Sequence, residues 1–103
     1  MRILLDHNVP IGVRFFFAGH EVVAAHEMGW EALSNGELLV AAEAENFEVL
    51  LTADRNIEYQ QNMAGRRIRL AVLWTNRWTV LRTDPQRVVA LVLGEGGSLV
   101  EGQ

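Results

Sequence analysis

Short runs of Val, Ile and Leu alternate along this chain with segments of helical period, the pattern of a parallel sheet flanked by helices. Residues 2–6 (RILLD) read as the first strand. A helix is expected over residues 9–18, with Asn8 as N-cap, Pro10 in the first turn where its missing N–H is harmless, and Gly19 as the stop. Val9, Val13, Phe16 and Phe17 would then form its core face. A second strand follows at residues 20–25 (HEVVAA), and the irregular stretch HEMGWEAL leads to a helix over residues 34–46. Residues 48–52 (EVLLT) read as the third strand, 55–63 as a short helix and 69–74 (RLAVLW) as the fourth strand. Asp84 and Pro85 start a last helix that fades at Gly94, and GEGGSLVEGQ has the composition of a tail. The order is βαβαβαβα, so one α/β domain is expected over residues 1–94, with a flexible tail over 95–103.

Composition narrows the chemistry. With 103 residues, 50% of them apolar, the chain suits one domain with a modest core. No apolar run approaches the roughly 20 residues that span a bilayer, and MRILLDHN reaches Asp6 too early for a signal peptide. The expectation is a cytoplasmic protein without a membrane partner. There is no cysteine, so a bound metal must be held by oxygen or imidazole. The formal charge of -4 argues against coating nucleic acid by bulk electrostatics, while leaving room for a local basic patch. All nine basic residues are arginine. The absence of lysine excludes mechanisms that need a catalytic or phosphate-binding lysine, and it counts against a phosphoryl-transfer or receiver-like α/β domain, which also places aspartates at strand ends.

Two stretches share one design: ILLDHNVP at residues 3–10 and VLLTADRN at 49–56 each lead an apolar strand into an aspartate, Asp6 and Asp54. In open α/β sheets ligands bind beyond the carboxyl ends of the strands, so both acids should project from one edge. Either alone is explained by an aspartate accepting backbone N–H groups at a strand end; the pair points to a site. Glu37 has two readings. SNGE at residues 34–37 matches a capping box, in which Ser34 and Glu37 satisfy each other's backbone donors. Gly36 is a poor helix former in that turn, and its small size suits a ligand approaching closely. Three convergent carboxylates would repel one another without a cation. Hard oxygen donors suit Mg²⁺ or Mn²⁺, and such a site points to phosphodiester chemistry.

The remaining polar and aromatic residues read mostly as structure. His20 and His26 have no zinc-ligand spacing with His7. Trp30 is a loop anchor or a surface on which a base stacks, and Trp74 and Trp78 pack the last helix or a self-association interface. Arg66, Arg67 and Arg69 form the densest basic cluster, either a solvated edge or a face that holds an RNA backbone.

The order RILLDHNVP, then GHEVVAAHEMGWEALSNGELLVAAEAENFEVLLTADRNI, resembles the compact PIN-like domain family over roughly residues 2–75. These domains are related to the PIN ribonuclease toxins of bacterial toxin–antitoxin modules. The resemblance implies a three-layer α/β/α fold with a short, mainly parallel sheet. It also implies metal-dependent endonucleolytic cleavage of RNA and an antitoxin protein as partner. Carried over residue by residue, it assigns metal binding and catalysis to Asp6, Glu37 and Asp54, with Asn8, Thr52 and Asn56 as supporting polar groups. It thereby favours the functional reading of Glu37. His7 stands where the family has Glu, Asn35 replaces an acid beside the helix start, and Asn56 replaces the second acid of Thr-x-Asp-x-Asp. With fewer charges Mg²⁺ or Mn²⁺ should be held weakly. The alternative is a degenerate domain that binds RNA or protein without cutting. His7 is expected to point away from Asp6, as strand neighbours do.

Overall fold

Four strands, β1 (Arg2–Leu5), β2 (Glu21–Ala24), β3 (Val49–Thr52) and β4 (Arg69–Val72), pair in parallel in the order β2-β1-β3-β4. A short β5 (Leu99–Glu101) extends the sheet beside β4, also in parallel. This computed structural model describes residues 1–57, 62–94 and 99–101. All four residues of β3 are buried, as expected for a central parallel strand covered on both faces. Strand periodicity divides the core in two. Ile3, Leu5, Val49, Leu51 and Ala71 face one side with Val13, Phe17, Leu81, Val88 and Val92. Leu4, Leu50, Leu70 and Val72 face the other with Leu38, Leu39, Ala42 and Phe47. The α/β class, the parallel sheet and its four main strands read from the sequence are therefore observed.

Helix α1 (Asn35–Ala44) and helix α3 (Pro85–Leu93), with the single turn α2 (Trp78–Leu81) between β4 and α3, supply the covering layers. Asp84 caps α3 by accepting the Arg87 N–H, with Pro85 opening the helix as expected. Residues 9–18 depart from the expected α-helix. Ile11–Phe16 form a 3-10 helix whose N-cap is Pro10, and Asn8 caps nothing. Gly12, β-branched Ile11 and Val13 and a run of phenylalanines are weak α-helix formers, and the segment closes i→i+3 bonds such as Val13 N–H to Pro10 C=O, 3.1 Å. Asn8 is engaged elsewhere.

A second 3-10 turn, Ala25–Met28, occupies the end of the expected second strand. The middle of the short helix expected over 55–63, residues 58–61, lies outside the described residues, and positions 55, 56, 62 and 63 are not helical. The stretch expected as a tail contributes β5: its glycine-rich surroundings hid a Leu-Val-Glu segment that pairs with the edge of β4. Trp30 meets Phe47 edge-on and anchors its loop to the core. Trp78 stacks on Phe16, with ring centroids 5.7 Å apart. Around that stack Ile11, Phe15, Trp78 and Val80 remain exposed, Phe15 at 84%.

Gly12 explains how the 3-10 helix lies so close to α2. A Cβ there would stand 2.6 Å from the Trp78 ring, inside contact distance. Gly12→Ala is expected to push the indole off Phe16 and cost about 1–3 kcal/mol, the usual range for overpacking. Urea unfolding of the variant checks this, and a stability equal to wild type would show that the indole moves at no cost.

Candidate functional site

The parallel sheet sends the ends of β1 and β3 to the same edge, and hydrogen bonds fasten them there. The Asp6 N–H donates to Leu51 C=O at 2.9 Å, continuing the β1–β3 ladder one residue beyond the strand. Asp6 is a buried carboxylate, 3% exposed, and Thr52 beside it is fully buried. Such a charge is stable only if its oxygens are satisfied. The Thr52 hydroxyl donates to Asp6 Oδ2 at 2.8 Å, while Asp6 Oδ1 accepts the His7 N–H at 2.8 Å. His7 Nδ1 lies 2.9 Å from the same oxygen. His7 therefore turns toward Asp6, against expectation, because β1 ends at Leu5 and both residues have left the pleat that would separate them.

The same threonine oxygen accepts the Asp54 N–H at 3.1 Å, so one hydroxyl ties the carboxylate of one strand end to the backbone of the other. Asn8 completes the join: its Oδ1 accepts the Ala53 N–H at 2.9 Å and its side chain lies 3.4 Å from Thr52 Oγ1. Asp54 Oδ1 accepts the Asn56 N–H at 2.9 Å, and Asp54 Oδ2 accepts from Asn35 Nδ2 at 3.3 Å. Asn35 opens α1, so the amide that stands in place of an acid links this helix to the site. A carboxylate there would face Asp54 with like charge.

Glu37 is held in its capping box. Its Oε1 accepts the Ser34 N–H at 2.9 Å, and its own N–H donates to Ser34 Oγ at 3.3 Å. The Ser34 backbone N–H, then the Ser34 hydroxyl, hold its carboxyl below the usual glutamate range. Gly36 and Glu37 line a depression on the outer side of α1 with Leu33, Val40, Ala41 and Arg66. The structure thus joins Asp6, Asn8, Thr52, Asp54 and Asn56 into one hydrogen-bonded group and gives Glu37 to the helix start. Among the described residues, no three His, Asp or Glu side chains are grouped closely enough to hold a metal ion together.

Arg66, Arg67 and Arg69 lie at the other end of the sheet, where β4 begins, and all three are engaged. Arg66 pairs with Glu43 at 3.0 Å, the Arg67 N–H donates to Glu43 Oε2 at 3.0 Å, and Arg69 donates to Val92 C=O at the end of α3. Burial raises the Glu43 carboxyl, and the Arg67 N–H and Arg66 outweigh it, leaving the group below the usual range. The arginines at the edge that carries Asp6 and Asp54 are others. Arg55 follows Asp54 and reaches Trp74 C=O at 3.5 Å, and Arg87 stacks over the Trp74 ring at 3.9 Å. They are scattered in the sequence, and only the β3–β4 pairing, through Leu73 N–H to Thr52 C=O at 2.8 Å, brings them together.

Comparison with protein-family models, with curated proteins and with solved structures finds no match.

Two outcomes follow from this geometry. Thr52→Val removes the hydroxyl that serves both aspartates and leaves a buried Asp6 oxygen without its donor, at an expected cost of about 1–3 kcal/mol in urea unfolding; an unchanged midpoint would show that the bond contributes nothing. The capping contribution of Glu37 has the sign of a depressed carboxyl. It is fully present above the ordinary glutamate pKa and disappears as pH falls through the lower folded value. The protection of the Ser34 amide, its exchange by NMR relative to an unstructured chain at the same pH, should therefore fall on acidification in wild type and not in Glu37→Gln.

Proposed function

We propose that the chain is a PIN-like, metal-dependent endoribonuclease acting at Asp6 and Asp54, with a toxin-like role and an antitoxin protein as partner. The observation that carries this reading is the Thr52 hydroxyl bridge, which fastens two acids from separate strands at the edge where parallel sheets bind ligands. The donor set suits a hard divalent cation: two carboxylates with Asn8 and Asn56 nearby and no sulfur. Mg²⁺ and Mn²⁺ commonly use one or two carboxylates and complete their shells with water and substrate phosphate. Asp6 and Asp54 would hold the ion, which when bound lowers the pKa of water and offsets charge on a phosphate. His7, on Asp6 and largely exposed, is placed to take or give a proton at the rim of the site. Glu37 joins the acids only by giving up the hydrogen bond that its carboxylate accepts from the Ser34 N–H.

One observation favours a second reading. With Glu37 in its cap, two acids remain at the site, as in a degenerate domain that binds RNA or protein without cutting it.

The experiment that separates them is cleavage of single-stranded RNA with Mn²⁺ or Mg²⁺ at millimolar order, a range that follows from the small number of carboxylates. Cleavage should stop in excess chelator and fall by at least about a hundredfold in Asp6→Asn, since even supporting groups around a metal are worth 10–100-fold. Asn56→Asp, adding an acid beside Asp54, should lower the metal concentration needed. Cutting that survives chelation, or an Asp6→Asn variant of full activity, overturns the nuclease reading. RNA binding without cleavage under either metal selects the degenerate module. The exposed apolar group of Ile11, Phe15, Trp78 and Val80 further supports self-association, with a second copy of the chain covering it. Sedimentation should show a dimer that Phe15→Ser converts to monomer.

A further inference from the structure

Three arginines of the chain are held in ion pairs, and those nearest Asp54 are not. Arg2, Arg14 and Arg66 pair with carboxylates: Glu21, Glu27 and Glu43. Among the described residues, Arg55, Arg77 and Arg87 have no carboxylate partner, although the chain carries a net charge of -4 and has acids to spare.

Arg87 lies in the first turn of α3, three residues after the capping Asp84. Its guanidinium lies 3.9 Å from the centre of the Trp74 ring and fixes the indole from one side. Arg55 braces the same residue through the Trp74 carbonyl at 3.5 Å and is itself exposed. Arg77 stands exposed just before α2. A half-buried aromatic plane and guanidiniums without acid partners thus meet beyond the carboxyl ends of β3 and β4, next to Asp54 through Arg55. Guanidiniums fork onto phosphate oxygens, and an indole accepts the face of any unpaired base.

We propose that Arg55, Trp74 and Arg87 hold the backbone and one unpaired base of single-stranded RNA, presenting the adjoining phosphodiester to Asp6 and Asp54. The inference rests on the nuclease reading for the choice of RNA, and it assigns substrate holding to this cluster in place of Arg66, Arg67 and Arg69. Arg55 and Arg87 also offset the charge of the two aspartates, which would otherwise repel a phosphate.

The test is fluorescence anisotropy of a labelled single-stranded RNA with the full chain in excess chelator, across a salt series, so that binding is read without turnover. Wild type should bind, and the same RNA annealed to its complement should bind more weakly, because its bases are not free to stack. Arg55→Gln and Arg87→Gln should each weaken binding several-fold and lower the salt slope by about 0.7, the value of one lost contact to a single strand. Trp74→Leu should lose about tenfold or more, from the stacking of one base, while Trp74→Phe keeps most of it. Arg67→Gln, at the opposite end of the sheet, should change nothing. Exposed Arg55 keeps the test valid should Arg87 or Trp74 variants fold poorly.

Absence of binding, equal affinity for duplex, an unchanged Arg55→Gln salt slope, or equal weakening by Arg67→Gln each overturns the proposal. Cleavage with Mn²⁺ is read separately. A chain that binds through these arginines but never cuts refutes the nuclease reading and leaves this inference standing, and one that cuts while Arg55→Gln and Arg87→Gln bind as wild type does the reverse.

Discussion

A strand covered on both faces can carry polar groups only where it reaches its end, and parallel pairing sends all such ends of one kind to the same side. β1, β3 and β4 are covered in this way, with one interior residue set turned to each layer. The carboxyl side therefore collects what the strands cannot bury within themselves: Asp6 after β1, Thr52 and Asp54 around the end of β3, Trp74 after β4. The amino side collects the paired arginines of the turn into β4. The polarity of the molecule, the two aspartates with Arg55 and Arg87 at one end and Arg66, Arg67 and Arg69 at the other, follows from sheet direction.

What could be read from the sequence was whatever depends on near neighbours. Runs of Val, Ile and Leu mark the four main strands because burial on both faces leaves little else possible, and Asp84 with Pro85 marks the start of α3 because capping is local. The capping box at Ser34 and Glu37 was equally legible as a motif. Its competition with a role in the site was not decidable there, because it turns on which oxygen a carboxylate meets in space. The 3-10 helix was misread because Pro10 suits the start of an α-helix, whereas Gly12, the β-branched residues and the phenylalanines that follow are weak α-helix formers.

The basic residues show the same division more sharply. Arg66, Arg67 and Arg69 stand out in the sequence because they are adjacent, yet adjacency placed them at the turn before a strand, opposite the acids. Arg55 and Arg87 do not stand out at all, and they meet over Trp74 only because β3 and β4 pair. Asn35, which reads as the loss of an acid, becomes intelligible once its amide is seen to donate to Asp54. A neutral donor there joins α1 to a carboxylate that an acid would have pushed away.

The bond from Thr52 to Asp6 spans 46 positions of sequence. Contacts of such long separation close late, after loop entropy has been overcome, and parallel β1–β3 pairing is among the slower events available to a small chain. The pairing also tolerates no slip, since a shift of one residue would turn Thr52 to the other face and leave a buried carboxylate without its donor. The bridge thus works as a register lock. A nascent or partly unfolded copy in which β1 and β3 have not paired lacks the assembled acid pair.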